Sequence, residues 1–192
     1  MGREAILKAV KENKPDLLPL PEIDLAIFAE EMDLLETFKS NVKLVGGTII
    51  ELNQKDLDVQ IKELYPNATK IVALDSSSKL GTISITKDTD PHSMETIDLA
   101  IVKGEFGVAE NGSVWITDEH TLLRVLPFIT NDLVLVLSKK DVCENMHTAY
   151  KKIADRNRTF GLFLSGPSKT ADIEQCLVIG AQGAMSLTVV LV

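Results

Sequence analysis

The segment Ala109-Glu-Asn-Gly-Ser113 places a carboxylate beside a tight turn. Asn-Gly is the strongest short hairpin signal, because both residues tolerate positive φ, so a β-hairpin near 105–117 is the simpler interpretation. The alternative makes Glu110 a nucleophile that attacks a thioester, with the backbone N–H groups of Gly104 and Gly107 stabilising the oxyanion. The spacing leaves both interpretations open. The ligand-binding candidates of this segment are Gly107, Gly112 and Ser113.

A second candidate site is Gly166-Pro-Ser-Lys-Thr170, which follows a predicted apolar strand. In an open α/β sheet, ligands bind beyond the carboxyl ends of the strands. A short helix is predicted to begin after Thr170 or Asp172, and its free N–H groups would attract an anion. The ligand-binding candidates are Gly166, Ser168, Lys169, Thr170 and Asp172. The alternative is a plain turn in which Thr170 or Asp172 caps the helix, whose dipole Asp172 and Glu174 already complement.

Two further loops and three histidines have weaker signals. Gly180-Ala-Gln-Gly-Ala184 has two glycines that allow close backbone approach, and 75–81 directly follows a buried strand. Both loops are more simply explained as ordinary connections. The histidines have no ligand partner at metal-binding spacing, so they are expected at the surface and no metal site is predicted. The histidines are His92, His120 and His147.

The elements that must position these residues follow from apolar periodicity and breakers. We predict an N-terminal helix at 3–12 and a proline-containing linker, which together make up residues 1–23. A single α/β domain is predicted over 24–192, opening with a helix at 24–44 between a cap at Asp24 and a stop at Gly46. Strands are predicted at 48–52, 70–74, 97–102, 114–117, 133–138, 159–165 and 187–192, and helices at 55–64 and 142–155. This alternation predicts an open, mostly parallel sheet flanked by helices.

Composition excludes several classes of protein. The 192 residues have a formal net charge of −8, and such a surface repels nucleic acid and anionic membranes. No run approaches the roughly 18 apolar residues of a membrane span. Cys143 and Cys176 stand alone, which argues against an iron–sulfur cluster or zinc site within the chain. With no signal peptide in the sequence, we expect a cytoplasmic protein that carries no cofactor of its own.

Three segments resemble the signatures of one family in the correct order. Gly166-Pro-Ser-Lys-Thr-Ala-Asp-Ile-Glu174 closely resembles the G-P-S-R/K-T-A-D-I-E signature of the LUD family. Ala109-Glu-Asn-Gly-Ser113 looks like the family's A-E-T-G-S, and Gly180-Ala-Gln-Gly183 falls where the family typically has G-V-H-G-P. The chain is most similar to the small stand-alone lactate-utilisation protein C type, which lacks ferredoxin cysteines.

The resemblance implies a fold like that of sugar-phosphate isomerases and CoA transferases. It also implies a role alongside separate iron–sulfur proteins in oxidising lactate to pyruvate, with a small anionic ligand as the bound species. The implied pocket residues are Glu110, Ser168, Lys169, Thr170, Asp172 and Gln182. Gln182 replaces the family's histidine and so removes a group that would titrate near neutral pH. Asn111 and Ala184 are two further departures, from threonine and proline.

Two other functions remain open at this point. Ala109-Glu-Asn-Gly112 also resembles the S-E-N-G motif of CoA transferases, whose glutamate is the nucleophile. An enzyme that acts on an acyl-CoA or a small phosphorylated acid through Glu110 is therefore one alternative. The loss of histidine at Gln182 suggests the other, a ligand-binding or regulatory module without catalysis.

Overall fold

The chain divides into two units, Met1–Glu31 and Met32–Val192. The computed structural model describes residues 2–19, 21–22, 24, 27, 32–154, 160–171 and 176–192. The first unit contains helix α1 (Arg3–Glu12), where the sequence predicts a helix, and none of its residues is buried. Every candidate site residue lies in the second unit.

The helices and strands of the second unit largely follow the predicted order. The helices are α2 (Leu34–Leu44), α3 (Leu57–Leu64), α4 (Asp118–Thr121), α5 (Leu126–Ile129) and α6 (Met146–Ile153), with 3-10 turns at Gln54–Asp56 and Pro91–Met94. The strands are β1 (Thr48–Glu51), β2 (Ile71–Ala73), β3 (Leu99–Lys103), β4 (Phe106–Val108), β5 (Ser113–Thr117), β6 (Asp132–Leu137), β7 (Val142–Cys143), β8 (Gly161–Leu164), β9 (Lys169–Thr170), β10 (Val178–Ile179) and β11 (Ser186–Leu191). None of the helices in these ranges combines the length and the apolar character needed to cross a bilayer.

Five strands form the central sheet in the order β1-β11-β6-β3-β2, and all its neighbours are parallel. Side chains alternate between the two faces of a strand. The leucines of β6, at 133, 135 and 137, accordingly pack in one cluster with Phe38 and Val42 of α2. Val134 and Val136 pack in another cluster with α3. A mostly parallel sheet flanked by helices is confirmed.

Helix α2 begins later than predicted. Met32 and Asp33 are not helical, and the side chain of Asp33 caps the helix by accepting hydrogen bonds of 3.1 Å from the N–H groups of Leu35 and Glu36. The predicted start and cap at Asp24 are therefore wrong for this helix, although most of 24–31 lies outside the described residues. The predicted stop is confirmed, since Gly46 has a φ of +82° just past the last turn.

A second, four-stranded sheet has the order β7-β4-β5-β8. Its antiparallel pair β4–β5 is the predicted hairpin. The predicted helix at 142–155 starts only at Met146, because Val142 and Cys143 pair with β4 and Asn145 caps α6 by accepting from the Thr148 N–H at 2.9 Å. A third sheet is the two-stranded pair β9–β10. Thr170 is thus a strand residue, and Asp172 lies outside the described residues.

Candidate functional site

The Ala109–Ser113 turn is fixed to the C-terminal turn of α2. The Asn41 side chain donates hydrogen bonds to the carbonyls of Ala109, at 2.7 Å, and Glu110, at 3.2 Å. Gly112 has a φ of +64°, and a Cβ there would lie 2.6 Å from the Val42 nitrogen. Only glycine fits this position, because it lacks a Cβ and adopts positive φ readily. Gly112 therefore has a packing role that the sequence did not reveal.

The same turn is hydrogen-bonded to the residue that precedes the second motif, Gly166–Thr170. The Asn111 side chain accepts hydrogen bonds from the Ser113 N–H, at 3.0 Å, and from the Ser113 hydroxyl, at 2.7 Å. The Ser165 hydroxyl donates to the Asn111 carbonyl at 2.9 Å. Ser165 immediately precedes Gly166, so the two motifs are neighbours in space although they lie more than fifty residues apart.

Glu110 lies at the N-terminus of α6. Its side chain is exposed, and its Oε2 accepts a 2.8 Å hydrogen bond from the N–H of Met146, the first residue of that helix. A carboxylate at a helix N-terminus interacts favourably with the helix dipole. Among the described residues, Glu110 forms no hydrogen bond or ion pair with Ser168, Lys169 or Gln182, and its contact with Met146 indicates a structural role in positioning α6.

The two glycines expected to stabilise an oxyanion donate elsewhere. The Gly104 N–H bonds to the Val136 carbonyl at 2.8 Å, and the Gly107 N–H bonds to the Asp141 carbonyl at 2.7 Å. A Cβ on Gly107 would lie 2.8 Å from the Phe38 ring, so this glycine is needed for packing. Both amides are therefore hydrogen-bonded within the protein, which counts against the predicted oxyanion site at Gly104 and Gly107.

The second motif also packs against the end of α2. Gly166 has a φ of +71°, and a side chain there would collide with the Val45 carbonyl. The Lys169 ammonium donates a hydrogen bond to the same carbonyl. The last carbonyls of a helix have no partner within it, and a cation there also complements the dipole. Lys169 is thereby anchored at the C-terminal end of α2.

The third motif, Gly180–Ala184, is hydrogen-bonded to Ser168. The Ser168 N–H donates to the Ala184 carbonyl at 2.9 Å, and the Gly180 N–H donates to the Ser168 carbonyl at 3.0 Å. The Gln182 N–H donates to the Ser168 hydroxyl at 3.4 Å. The structure thus brings together Ser168, Lys169 and Gln182 of the expected pocket. Thr170 lies beside them, paired with Val178.

A cavity of about 490 Å³ lies where these segments meet. We call it the Lys169 cavity; it is lined by Leu44, Val45, Gly46, Ser165, Pro167, Lys169, Leu177, Ile179 and Met185. Its polar side chains are one ammonium and one hydroxyl. The apolar lining was missed from the sequence. The apolar run Leu177-Val-Ile179 beside a glycine loop could have indicated part of this lining.

The Lys169 cavity lies near the amino ends of the central strands. Met185, which lines it, donates its N–H to the Asn131 carbonyl at 2.7 Å, immediately before β11 and β6 begin. Gly46, also in the lining, precedes β1. The expectation that Gly166–Thr170 follow a strand of the parallel sheet is wrong, because β8 belongs to the second sheet and runs antiparallel to β5.

The 75–81 loop lies at the opposite, carboxyl edge of the sheet. Asp75 is buried and accepts hydrogen bonds from the backbone and side chain of Ser77. Asp58 accepts from the Ser78 hydroxyl at 2.8 Å and the Lys79 N–H at 3.0 Å. A cavity of about 310 Å³, which Ser78 and Lys79 help to line, lies here. The loop shares no lining residue with the Lys169 cavity.

One histidine departs from the expected surface position. His120 is half-buried, and its Nδ1 lies 3.1 Å from the Thr117 hydroxyl. Burial, with the nearby Lys103 ammonium, lowers the pKa of His120. His92 is exposed beside Asp90 at 3.0 Å. Within the described ranges, no three His, Cys, Asp or Glu side chains come together as a potential metal site.

Comparison with known proteins decides the family. A family model described as the LUD domain matches residues 3–192. The chain belongs to the LUD domain family. Proteins named lactate utilization protein C resemble this LUD domain over its whole length. The protein of Geobacillus thermodenitrificans is 23% identical, and the match covers 100% of this chain and 91% of that protein. The protein of an Exiguobacterium species is 25% identical, with 100% and 90% covered.

A solved structure supports the fold of this LUD domain. The crystal structure of a DUF162 family protein from Deinococcus radiodurans superposes with a TM-score of 0.64 at 12% sequence identity. The match covers 88% of this chain and 99% of that one. At such an identity the likeness concerns the fold, and it agrees with the mostly parallel sheet described above.

Proposed function

We propose that this LUD domain protein acts in lactate utilisation as a subunit that binds a small carboxylate. Separate iron–sulfur proteins are its proposed partners. The observation that carries the proposal is the Lys169 ammonium at a cavity to which the family's Gly166–Glu174 segment contributes Pro167 and Lys169. The full-length similarity to proteins named lactate utilization protein C supports the pathway.

The polar groups of the cavity suit a 2-hydroxy acid. An ammonium has three donors, and Lys169 uses one on the Val45 carbonyl, so others can pair with a carboxylate. The Ser165 hydroxyl donates its proton to the Asn111 carbonyl, so its oxygen can accept a hydrogen bond from the hydroxyl of the ligand. Lactate carries both of these groups.

The electron-transfer chemistry is assigned to partner proteins. Iron–sulfur clusters are held by several cysteine thiolates brought together. Cys143 is buried in the second sheet, where burial raises the pKa of its thiol, while Cys176 is exposed. The proposed division of labour therefore has this subunit hold the acid, with no cofactor of its own.

The alternative of an acyl-CoA enzyme has less support. Its nucleophile, Glu110, accepts a hydrogen bond from the first residue of α6, and the amides of Gly104 and Gly107 bond within the protein. This alternative requires an acyl-glutamate at Glu110. Hydroxylamine added with acyl-CoA should leave the protein unmodified at Glu110; a hydroxamate there, detected by peptide mass spectrometry, would favour the enzyme instead.

Calorimetry with L-lactate and pyruvate tests the binding proposal. Lys169→Met should weaken binding by about 10- to 100-fold, since a hydrogen bond to a charged group contributes roughly 1.5–3 kcal/mol. Lys79→Met is the matched control, because it removes an exposed ammonium from the cavity at the opposite edge of the sheet. Loss of affinity in Lys79→Met with none in Lys169→Met would refute the proposed site.

A further inference from the structure

We infer that the Lys169 cavity selects a medium-chain 2-hydroxy acid, a monocarboxylic acid with an apolar tail, over the three-carbon lactate. This inference rests on the proposed function, because it keeps the Lys169 ammonium as the anchor of the carboxylate. The cavity also has an apolar wall, formed by Leu44, Leu177, Ile179 and Met185, which lactate is too small to cover.

The wall combines large apolar side chains that are unusually exposed. Leu44 is 81% exposed, Leu177 63%, Met185 52% and Ile179 43%, and all four line the same cavity. Single exposed apolar residues are normal on a protein surface, whereas a contiguous group of them marks a binding site. Here the four exposed side chains form such a group around the Lys169 cavity.

The register of the β9–β10 pair explains how a charge and an apolar wall come together. Lys169 lies directly opposite Ile179, and side chains of such pairs stand next to each other on one face. Leu177 lies two residues before Ile179, where a strand presents the same face. Val178 and Thr170 pair on the other face, and neither lines the cavity. One face of the hairpin thus offers an ammonium beside two apolar side chains.

The size of the cavity exceeds what a three-carbon acid requires. Its volume of about 490 Å³ lies within the roughly 300–1,000 Å³ of pockets that hold drug-sized ligands. A carboxylate at Lys169 would leave most of the wall in contact with water unless a hydrocarbon chain covered it. Burying apolar surface is favourable in proportion to its area, so a longer tail should bind more tightly.

The Lys169 ammonium beside the wall favours an acid over an apolar segment of a protein as the ligand. An ammonium beside the apolar surface would be costly to cover with a purely apolar partner, because it would lose water without gaining a counter-charge. A carboxylate satisfies the ammonium while its tail covers the wall. Self-association through the same wall is a distinct outcome of the test below.

The test is calorimetry of the full chain with a homologous series, L-lactate, 2-hydroxybutyrate, 2-hydroxyhexanoate and 2-hydroxyoctanoate. Affinity should rise about two- to fourfold with each added methylene until the wall is covered, the upper figure corresponding to roughly 0.8 kcal/mol for a fully buried CH₂. Leu177→Ser should reduce this gain per methylene. Val178→Ser, on the neighbouring residue of the opposite face, is the matched control and should leave the series unchanged.

The outcomes separate the inference from the proposed function. Lactate binding that depends on Lys169, with an affinity that stays flat or falls along the series, would overturn the inference alone. Binding of no member of the series, or binding that ignores Lys169→Met, would overturn the proposed function as well. A dimer seen by sedimentation velocity that Leu177→Ser dissociates would assign the wall to a second copy and overturn the inference.

Discussion

Glu51 forms a two-sided ion pair at the end of β1. Its Oε2 lies 2.5 Å from the Lys39 Nζ, and its Oε1 lies 2.8 Å from the Lys139 Nζ. Hydrogen bonds from Lys139 and then Lys39 lower the pKa of Glu51 from 4.5 to about 2. A carboxyl whose pKa is lower in the folded state stabilises the fold above its unfolded pKa, and this contribution is lost as pH falls through the folded pKa.

Glu51→Gln should therefore remove a pH-dependent part of the stability. The wild-type protein should lose more stability than the variant as pH falls from 4.5 to about 2. Urea midpoints measured across this range check the prediction. The control is Glu95→Gln, which removes an exposed carboxyl and should keep the wild-type pH dependence. Parallel curves for wild type and Glu51→Gln would contradict the assignment.

Gly112→Ala should destabilise the protein although it adds a single methyl group. The left-handed conformation costs a residue with a Cβ about 1–2 kcal/mol, and the collision with Val42 adds to this. Urea denaturation measures the loss. Gly81→Ala is the matched control, because its Cβ would meet Ala73 at an ordinary 3.4 Å. Equal stability of the two variants would mean that the turn can move away from α2.

At the residue scale, local chemistry predicted the turns but not the long-range contacts. Gly46 and Gly112 were predictable because the positions just past a helix and inside an Asn-Gly turn favour positive φ. Lys169 was also singled out, but its contact with Val45 joins residues 124 positions apart. No local pattern contains such a contact, so the sequence could not show that this lysine sits at the end of α2.

At the scale of elements, Glu110 gives a test of helix capping against catalysis. Glu110→Ala should lower the free energy of unfolding by about 0.3–1 kcal/mol, the usual contribution of a carboxylate at a helix N-terminus. Carboxylate affinity should not change, since Glu110 does not line the Lys169 cavity. Thermal denaturation and calorimetry on the same samples check both points, with Glu95→Ala as the control. Unchanged stability with lost binding would instead place Glu110 in the site.

Strands of the central sheet were predictable because their periodicity is strong. The predicted ranges 133–138 and 187–192 differ from β6 and β11 by one residue at each end. The predicted helix starts at 24 and 142 were wrong, because each helix begins at a later capping residue. Asp33 and Asn145 are capping residues within longer apolar patterns, and each begins its helix later than the pattern does. The contacts that decide between two possible caps are tertiary.

At the scale of the whole molecule, the edge of the sheet on which the candidate site lies was the least predictable feature. The second motif follows an apolar strand, and the general rule for open α/β sheets puts a ligand at the carboxyl edge. The strand in question, β8, joins the second sheet instead. Which sheet a strand joins depends on partners far away in sequence, so the motif was identified while its location was not.

Cavities of about 490 and 310 Å³ thus lie at opposite edges of the central sheet, and we propose that the carboxylate binds in the first of them. Titration of the ¹⁵N-labelled protein with L-lactate, followed by two-dimensional NMR, tests it most directly. We expect the shifted amides to lie in 44–47, 164–170 and 176–185, around the Lys169 cavity. Shifts concentrated in 73–85, around Ser78 and Lys79 at the carboxyl edge, would contradict it.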